Sequence, residues 1–410
     1  MRHGVMLEVN EYLVLDHVRS RGETTRPAIG AQLGLSAATV SRIVRRLIDQ
    51  GHASEGPGAS TGGRPRSVVR FNPLAGCVIG VDLGGSRCHG LLADLTGASL
   101  AESTRPIADE GEPFPALVTT IRALRRRARE LRLPVAALAV GVAAIVDQET
   151  GVASGGPHVH WDGFPIVREL GAVVDLPFVV DNDVNLAALA HAWRGDGRGR
   201  TGFVVLALGT GIGAAIVADG RLLRGRRSGA GEVGYLVLER SLLRQHAPGG
   251  PGALEELASG PAIVAKAQRR LAADAAPSVL RSLDPLTAEA ILAAAAAGDA
   301  PACAIAVELA DDVAMAVIAL AAVVDPEVIV LDGSVGRALA PWLEGIAALV
   351  ARHLPDPPSI VTSSLDTEAT ALGAVAAALQ LARRRGAPGP YVDTLMVGGT
   401  PDAAARPDVA

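Results

Sequence analysis

Carboxylates set beside glycine-rich turns are the groups in this 410-residue chain that could do chemistry. Asp183 stands in Val179-Val180-Asp181-Asn182-Asp183-Val184-Asn185, where an apolar run ends and a helical pattern through Ala187 to Trp193 begins. A carboxylate placed there, facing a cleft, can accept the proton of a sugar hydroxyl. Asn182 beside it can bond neighbouring hydroxyls. Asp183 would serve equally as a helix N-cap, which needs no ligand. Glu232 lies in the loop Gly229-Ala230-Gly231-Glu232-Val233-Gly234-Tyr235, and Glu255 opens a further helix. Three carboxylates about one cleft suit a polyhydroxylated ligand, which offers many O–H donors.

Two strand–turn–strand units flank these residues. Val78-Ile79-Gly80-Val81-Asp82 ends in a carboxylate, Leu83-Gly84-Gly85-Ser86 turns, and Cys88 to Asp94 returns. Phe203 to Leu208, Gly209-Thr210-Gly211-Ile212-Gly213 and Ala214 to Ala218 repeat the design. Backbone N–H groups in such turns come close to a phosphate, and Asp82 can hold Mg²⁺ through water. Asp82, Gly84, Gly85, Ser86, Gly209, Thr210 and Gly211 are the candidate phosphate contacts, although single hairpins of this kind also occur without ligands. Two copies in one chain predict a duplicated α/β fold with a cleft between the halves. A third segment, Leu331-Asp332-Gly333-Ser334-Val335-Gly336, reads equally as an adenosine border and as a plain strand-to-helix turn.

A different chemistry lies between Arg26 and Pro65. A first helix is expected from Val5 to Ser20, with Leu13, Val14 and Val18 inward. Thr24 or Thr25 can cap a second helix, and Pro27 suits its first turn because no N–H is needed there. Gly34 supplies a turn, and Ser36 caps a third helix that runs to Gln50 and stops at Gly51. In that helix Val40, Ile43, Val44, Leu47 and Ile48 form a buried stripe. Ala38, Ser41, Arg42 and Arg45 form the opposite one. Small residues near the start permit close approach to base edges, and the arginines can reach guanines or phosphates in a major groove. An ordinary amphipathic helix with a solvated face would look the same. The strands expected at His52 to Glu55 and Ser67 to Phe71 change that balance. Between them, the glycine-rich loop carries Arg64 and Arg66, which fit a narrow minor groove; a plain flexible surface loop is the alternative.

The charge distribution agrees. Residues 1–72 hold 10 arginines against 6 acidic residues, whereas the remainder is acidic within a net charge of −5. A basic head on an acidic body points to a polyanion partner for the head alone. Hydrophobic residues make up 49% and charged ones 20%, as in globular domains. No apolar run reaches membrane-spanning length uninterrupted, and the start of the chain lacks the apolar core of a signal peptide. Cys77, Cys88 and Cys303 have neither metal spacing nor an even count. The expectation is a cytoplasmic protein with reduced thiols and no membrane partner.

Taken together, Asp82-Leu83-Gly84-Gly85-Ser86, Asn182-Asp183-Val184-Asn185, Leu208-Gly209-Thr210-Gly211-Ile212-Gly213, Gly231-Glu232-Val233-Gly234 and Leu254-Glu255 with Ala258-Ser259-Gly260 resemble the ROK family: bacterial repressors, open-reading-frame kinases and sugar kinases. The likeness covers roughly residues 5–385. It implies an N-terminal winged helix-turn-helix over residues 1–72 and an actin-like (ASKHA) domain of two α/β subdomains over 73–385, followed by a disordered tail, 386–410. The resemblance makes Asp183 a general base if the chain is a kinase, and makes Asn182, Glu232 and Glu255 sugar contacts. Asp82 and the two glycine turns would then face nucleotide phosphates.

Departures from the family pattern qualify these roles. Tyr235 replaces the histidine of the sugar loop, and Pro157-His158 stands where Pro-Asn is usual, making His158 a changed sugar contact or a surface histidine. Gly141-Val142-Ala143-Ala144 replaces a Pro-Gly turn. The family's cysteine-rich zinc segment corresponds to His246 to Ala253, which holds no cysteine. Structural zinc needs about four ligands and is expected to be absent. The leading expectation is a homodimeric or larger sugar-responsive regulator on double-stranded operator DNA, most simply a repressor, requiring no cofactor. An active kinase using ATP and Mg²⁺, with a DNA-binding head, is the alternative; a DNA-binding protein with a vestigial cleft is the third.

Overall fold

A computed structural model describes residues 2–58, 66–107, 113–155, 161–244, 250–366 and 368–384. Arg64, His158, His246 and the 386–410 tail lie outside the described residues.

The N-terminal unit consists of α1 (Arg2–Arg21), β1 (Glu23–Thr24), α2 (Arg26–Leu33), α3 (Ala37–Asp49), β2 (Ala53–Pro57) and β3 (Ser67–Phe71). The strands pair antiparallel in the order β1-β3-β2, the wing of a winged helix-turn-helix. Thr25 rather than Thr24 caps α2, its hydroxyl accepting the Ala28 N–H. Gly34 ends that helix at φ 66°, a left-handed position that favours glycine. Ser36 caps α3 by accepting the Thr39 N–H. Val40, Ile43, Val44 and Leu47 are buried with Val14, Val18, Ile29 and Val69 in one core. Leu13 is not inward as expected: it is 40% exposed, whereas Val14 and Val18 are fully buried. The latter two are one turn apart, while Leu13 is rotated about 100° from Val14 and misses the core.

Two five-stranded sheets follow. The first half contains β4 (Cys77–Leu83), β5 (Arg87–Asp94), β6 (Ser99–Pro106), α4 (Pro113–Glu130) and β7 (Val135–Val142). A small sheet of β8 (Ile145–Val146), β9 (Ala153–Gly155) and β10 (Trp161–Phe164) intervenes before α5 (Ile166–Val173), β11 (Phe178–Asn182) and α6 (Asp183–Arg194). The large sheet has the order β6-β5-β4-β7-β11; β4–β5 and β5–β6 are antiparallel, β4–β7 and β7–β11 parallel.

The second half repeats this arrangement with β12 (Phe203–Leu208), β13 (Ile212–Ala218) and β14 (Arg221–Leu222), then α7 (Ala253–Ala258), α8 (Gly260–Ala273), α9 (Ala288–Ala296) and α10 (Ala300–Val324). β15 (Val328–Asp332), α11 (Gly333–Ala338), α12 (Leu343–Ala351) and β16 (Ser359–Thr362) complete it. The order β14-β13-β12-β15-β16 has the same sequence of antiparallel and parallel pairs. The duplication expected from the two glycine turns is thus a duplication of whole sheets.

The last helix, α13 (Ala369–Arg384), crosses back to the first half and packs on β4, β7 and α6. Its approach to α6 demands glycine at 373, since a Cβ there would collide with the Leu186 carbonyl. The long, alanine-rich α10 and α13 each bury one side within the chain. Ile305, Leu309, Val313 and Val317 of α10 join the second-half core, and Ala374, Val375, Ala378 and Leu379 of α13 join the first. Among the described residues no helix is long and apolar enough to cross a membrane.

Candidate functional site

β4 and β12 occupy the centres of their sheets, and both glycine turns open into one cavity of about 580 Å³. Asp82, Gly84, Gly85 and Ser86 line it from one half, and Gly209, Thr210 and Gly211 from the other. Asn182, Asp183, Glu232, Tyr235 and Glu255 line the same cavity. Every cleft residue singled out in the sequence, except His158 outside the described residues, therefore meets at one place.

Local hydrogen bonds explain how these side chains are held. The N-cap of α6 is Asn182, not Asp183: its Oδ1 accepts the N–H groups of Val184 at 2.9 Å and Asn185 at 3.2 Å. Its Nδ2 donates to the Ala144 carbonyl at 3.3 Å. The Asn182 amide thus serves first to fix the chain beside Asp183, and one Nδ2 proton remains for a ligand. Glu255 is equally structural. Its Oε1 accepts the Ile212 N–H at 2.8 Å and its Oε2 the Gly252 N–H at 3.0 Å, which ties the segment before α7 to β13. Each oxygen retains a second lone pair.

The carboxylates crowd one another out of bulk water. Burial pushes Asp82 up to about 7, with the Asp183 charge adding and Arg87 opposing. Burial raises Asp183 to about 6 against the Val184 N–H, its own backbone N–H and the Asn182 side chain. Glu232 reaches about 7 through burial and the charges of Asp183 and Glu255. The Tyr235 phenol is also raised, by burial and then by Glu232 and Glu255. A ligand that brings O–H donors, or a cation, would relieve this crowding.

Several cavity residues escaped sequence reasoning: Arg87, Glu289, Arg337 and Thr370. The third glycine segment brings Asp332, Gly333 and Ser334 to the same cavity. Asp332 ends β15 and accepts a bond from Arg337 at 2.9 Å. The fully buried His191 of α6 lies 3.5 Å from its other oxygen. Burial works against the Asp332 charge, but His191, the Gly333 N–H and Arg337 outweigh it and hold its carboxyl below the usual range. A second pair, the buried Asp181 of β11 with the half-buried Arg224 at 3.0 and 2.6 Å, also joins the halves.

The arginines of the head divide into two groups. Arg26 makes a bidentate pair with Glu55 at 3.0 and 2.7 Å, joining α2 to the wing. Arg46 meets Glu11 at 3.3 Å and Arg70 meets Glu23 at 2.9 Å. Arg42 and Arg45 on α3, and Arg66 at the base of the wing, are exposed and have no ion pair among the described residues; Arg21 at the end of α1 is similar. Ala38 and Ser41 are exposed on the same face of α3, while the Ser36 hydroxyl is engaged in the cap.

Comparison with known proteins follows the same division. The MarR family profile matches residues 7–60. A xylose repressor of Caldicellulosiruptor bescii is 29% identical over 240 residues, 58% of this chain and 60% of the relative. The chain therefore spans about three fifths of that relative's length. A glucokinase of Halalkalibacterium halodurans is 29% identical over 310 residues, 72% of this chain and 92% of the enzyme. Among solved structures, a ROK family transcriptional regulator described as a homolog of the E. coli MLC protein superposes with a TM-score of 0.76. It covers 94% of this chain and 97% of its own at 24% identity, a likeness of fold. The ROK family profile matches residues 78–381, from β4 through most of α13, and that span carries both glycine turns, Asp183, Glu232 and Glu255: the chain belongs to the ROK family.

Proposed function

We propose that this chain is a sugar-responsive transcriptional regulator, a repressor whose hold on operator DNA is set by a sugar or sugar derivative in the cleft. The observation that carries this reading is the union, on one chain, of uncommitted arginines on a winged-helix face with a cavity crowded by carboxylates. Arg42 and Arg45 enter a major groove from α3, and the wing arginines Arg64 and Arg66 follow the neighbouring minor groove. Two copies on a palindromic site make the functional unit a homodimer. Sugar hydroxyls donate to Asp183, Glu232 and Glu255, with the second Asn182 amide proton and Tyr235 at the margin; His158 is a further candidate contact. Regulation of this kind needs no cofactor.

The fold offers a route between the two sites. Thr370, in the first turn of α13, donates to the Asp183 carbonyl at 3.3 Å. At the far end of α13, the Arg383 guanidinium lies 4.3 Å over the Tyr12 ring of α1. A sugar that binds the closed cleft better than the open one biases both ends of this rod. The test is to select binding sites from random duplex DNA with the full chain, then titrate the selected site against hexoses, pentoses and their N-acetyl and phosphorylated derivatives. One sugar is expected to change the affinity at least about tenfold, a coupling of ~1.4 kcal/mol. Failure to select any sequence, or a site indifferent to every sugar, overturns the proposal.

A second reading, an ATP- and Mg²⁺-dependent sugar kinase with a DNA-binding head, is favoured by one observation: both glycine turns, Asp82 and Asp183 share the cavity. Asp82 would hold the metal through water, and the turns would receive the phosphates. An ATP-coupled assay over the same sugars decides it. Turnover that vanishes in Asp183→Asn supports the kinase, and no turnover with any sugar ends it.

A further inference from the structure

Outside the residues that line the cavity, three residues that no motif connects come together on the face of the first sheet that α13 covers, the face that Asp82 shares. His89 lies on β5 and Glu102 on β6, and the antiparallel register pairs His89 with Thr104 and Leu91 with Glu102. Residues 89, 91, 102 and 104 therefore share one face of the sheet. α13 packs against β5, and Glu368 immediately precedes that helix. One ligand-capable atom from each of His89, Glu102 and Glu368 lies within 4.8 Å of the others.

The histidine is the telling member. It is only 6% exposed, and its Nδ1 lies 2.7 Å from the Thr104 hydroxyl oxygen. With Nδ1–H donating to that oxygen, Nε2 carries the lone pair. Nε2 is buried without a hydrogen-bond partner. It stands 3.6 Å from the Glu368 carboxylate, beyond a hydrogen bond. A buried nitrogen left without a partner calls for a missing one. Two ligands of a tetrahedral zinc ion at about 2.0–2.1 Å stand ~3.3 Å apart, so the gap to Glu368 is close to what a shared metal needs. Glu102 and Glu368 are exposed, and their rotamers can take up the rest.

We propose that His89, Glu102 and Glu368 form a site for a divalent transition metal, Zn²⁺ in the first place, with water completing the coordination. One neutral imidazole and two carboxylates balance the ion's charge, and the nitrogen ligand favours Zn²⁺ over Mg²⁺ or Ca²⁺. Thr104 acts as the outer partner that orients the ring, as metal-bound histidines generally require. The ion ties β5 and β6 to the start of α13, two residues before Thr370 at the cleft. It is unrelated in place and composition to the cysteine-rich zinc segment that this chain lacks.

Isothermal titration of the chelator-stripped full chain with ZnCl₂, and separately with MgCl₂, tests the site. Wild type is expected to bind one Zn²⁺ per chain and to melt higher in its presence, with Mg²⁺ failing to compete. E102Q/E368Q changes only exposed side chains and should melt like wild type in EDTA. It should lose more affinity than the ~10–100-fold typical of removing an outer partner. H89Q, which can keep a bond to Thr104, should lose it as well. The chain holds 9 histidines in all, so Zn²⁺ bound with undiminished affinity by E102Q/E368Q belongs to others and overturns the assignment. Absence of Zn²⁺ binding by wild type, or equal binding of Mg²⁺, overturns it too.

Discussion

The head and the cleft treat charge in opposite ways. In the head, the arginines that build the domain are spent on partners: Arg26 on Glu55, Arg46 on Glu11 and Arg70 on Glu23. Arg42, Arg45 and Arg66 stay exposed in water. A solvated cation costs little to keep and attracts a polyanion at long range, subject to salt. In the cleft, like charges are gathered and partly withdrawn from water, so that Asp82 and Glu232 rise to about 7. That arrangement is unfavourable until a ligand supplies donors at short range and in fixed directions. One region is built for attraction and the other for recognition.

The comparison breaks most sharply if the cleft chemistry is removed while the head is left intact. Asp183→Asn exchanges an acceptor-only carboxylate for an amide of the same shape. Loss of a hydrogen bond to a charged group costs about 1.5–3 kcal/mol, so sugar affinity should fall tenfold or more and the sugar response should disappear. Operator affinity without sugar should stay within about twofold, since Asp183 lies outside the winged-helix unit. Fluorescence anisotropy on labelled operator, with and without sugar, reads both; a sugar response of normal size in this variant would remove Asp183 from the binding set.

The converse change is Arg42→Ala. If the guanidinium reads a guanine in bidentate fashion, operator discrimination drops by about 1–3 kcal/mol. Sugar affinity, measured by titration calorimetry without DNA, should not move. Equal weakening on operator and random duplex would reduce Arg42 to a phosphate contact.

These two regions were not equally legible in the sequence. α3 could be read almost to the residue because its determinants are local: Ser36 at the cap, a heptad-like apolar stripe, and a turn at Gly51. The glycine turns were legible because they occur twice, and duplication of the sheets follows from them. Leu13 was misplaced because α1 carries apolar residues on more than one face, Val9 and Tyr12 among the exposed ones. Asn182 and Asp183 are both competent caps, and only the point where β11 ends decides between them. Glu289 and Thr370 enter the cavity from elements remote in sequence from Asp183, and His89, Glu102 and Glu368 meet only after three elements have packed. Long-range juxtaposition of this kind leaves no local pattern to read.

The link between the regions gives a smaller expected effect. Thr370→Val deletes the donor to the Asp183 carbonyl while nearly preserving volume. A coupling route through α13 predicts that the sugar-induced change in operator affinity shrinks by about 0.5–2 kcal/mol. Sugar binding alone should weaken much less. An unaltered response would place the coupling elsewhere, for instance in the His191–Asp332 contact between the halves.

Acidity sharpens the description of the cleft. Carboxyls raised in the folded state hold protons that the unfolded chain releases. Their contribution to stability therefore falls as pH rises from the ordinary carboxyl range through about 7, the value for Asp82 and Glu232. If, as proposed, sugar hydroxyls donate to the ionised form, affinity should increase severalfold between pH 5.5 and 7.5 and then level. Thermal shift against a fixed sugar concentration follows both trends, and Glu232→Gln should flatten them. A sugar affinity that falls across this window would mean that protonated carboxyls, donating rather than accepting, recognise the ligand.

The gentlest probe concerns the wing. Arg66 is exposed beside the Gly58–Arg66 backbone bond that closes the base of the hairpin, where the Gly58 N–H donates to the Arg66 carbonyl at 2.9 Å. That bond uses only backbone atoms, so Arg66→Ala leaves the hairpin in place and removes charge alone. One lost phosphate contact lowers the slope of log affinity against log salt by about 0.9. The effect should be equal on operator and non-specific duplex at a given salt, unlike that of Arg42→Ala. If Arg66 instead enters a narrow minor groove, the loss will be greater on A·T-rich flanks than on G·C-rich ones, because the potential there is more negative. Binding at several salt concentrations to two flank compositions separates the outcomes, and no change in any of them would remove Arg66 from the DNA-contacting set.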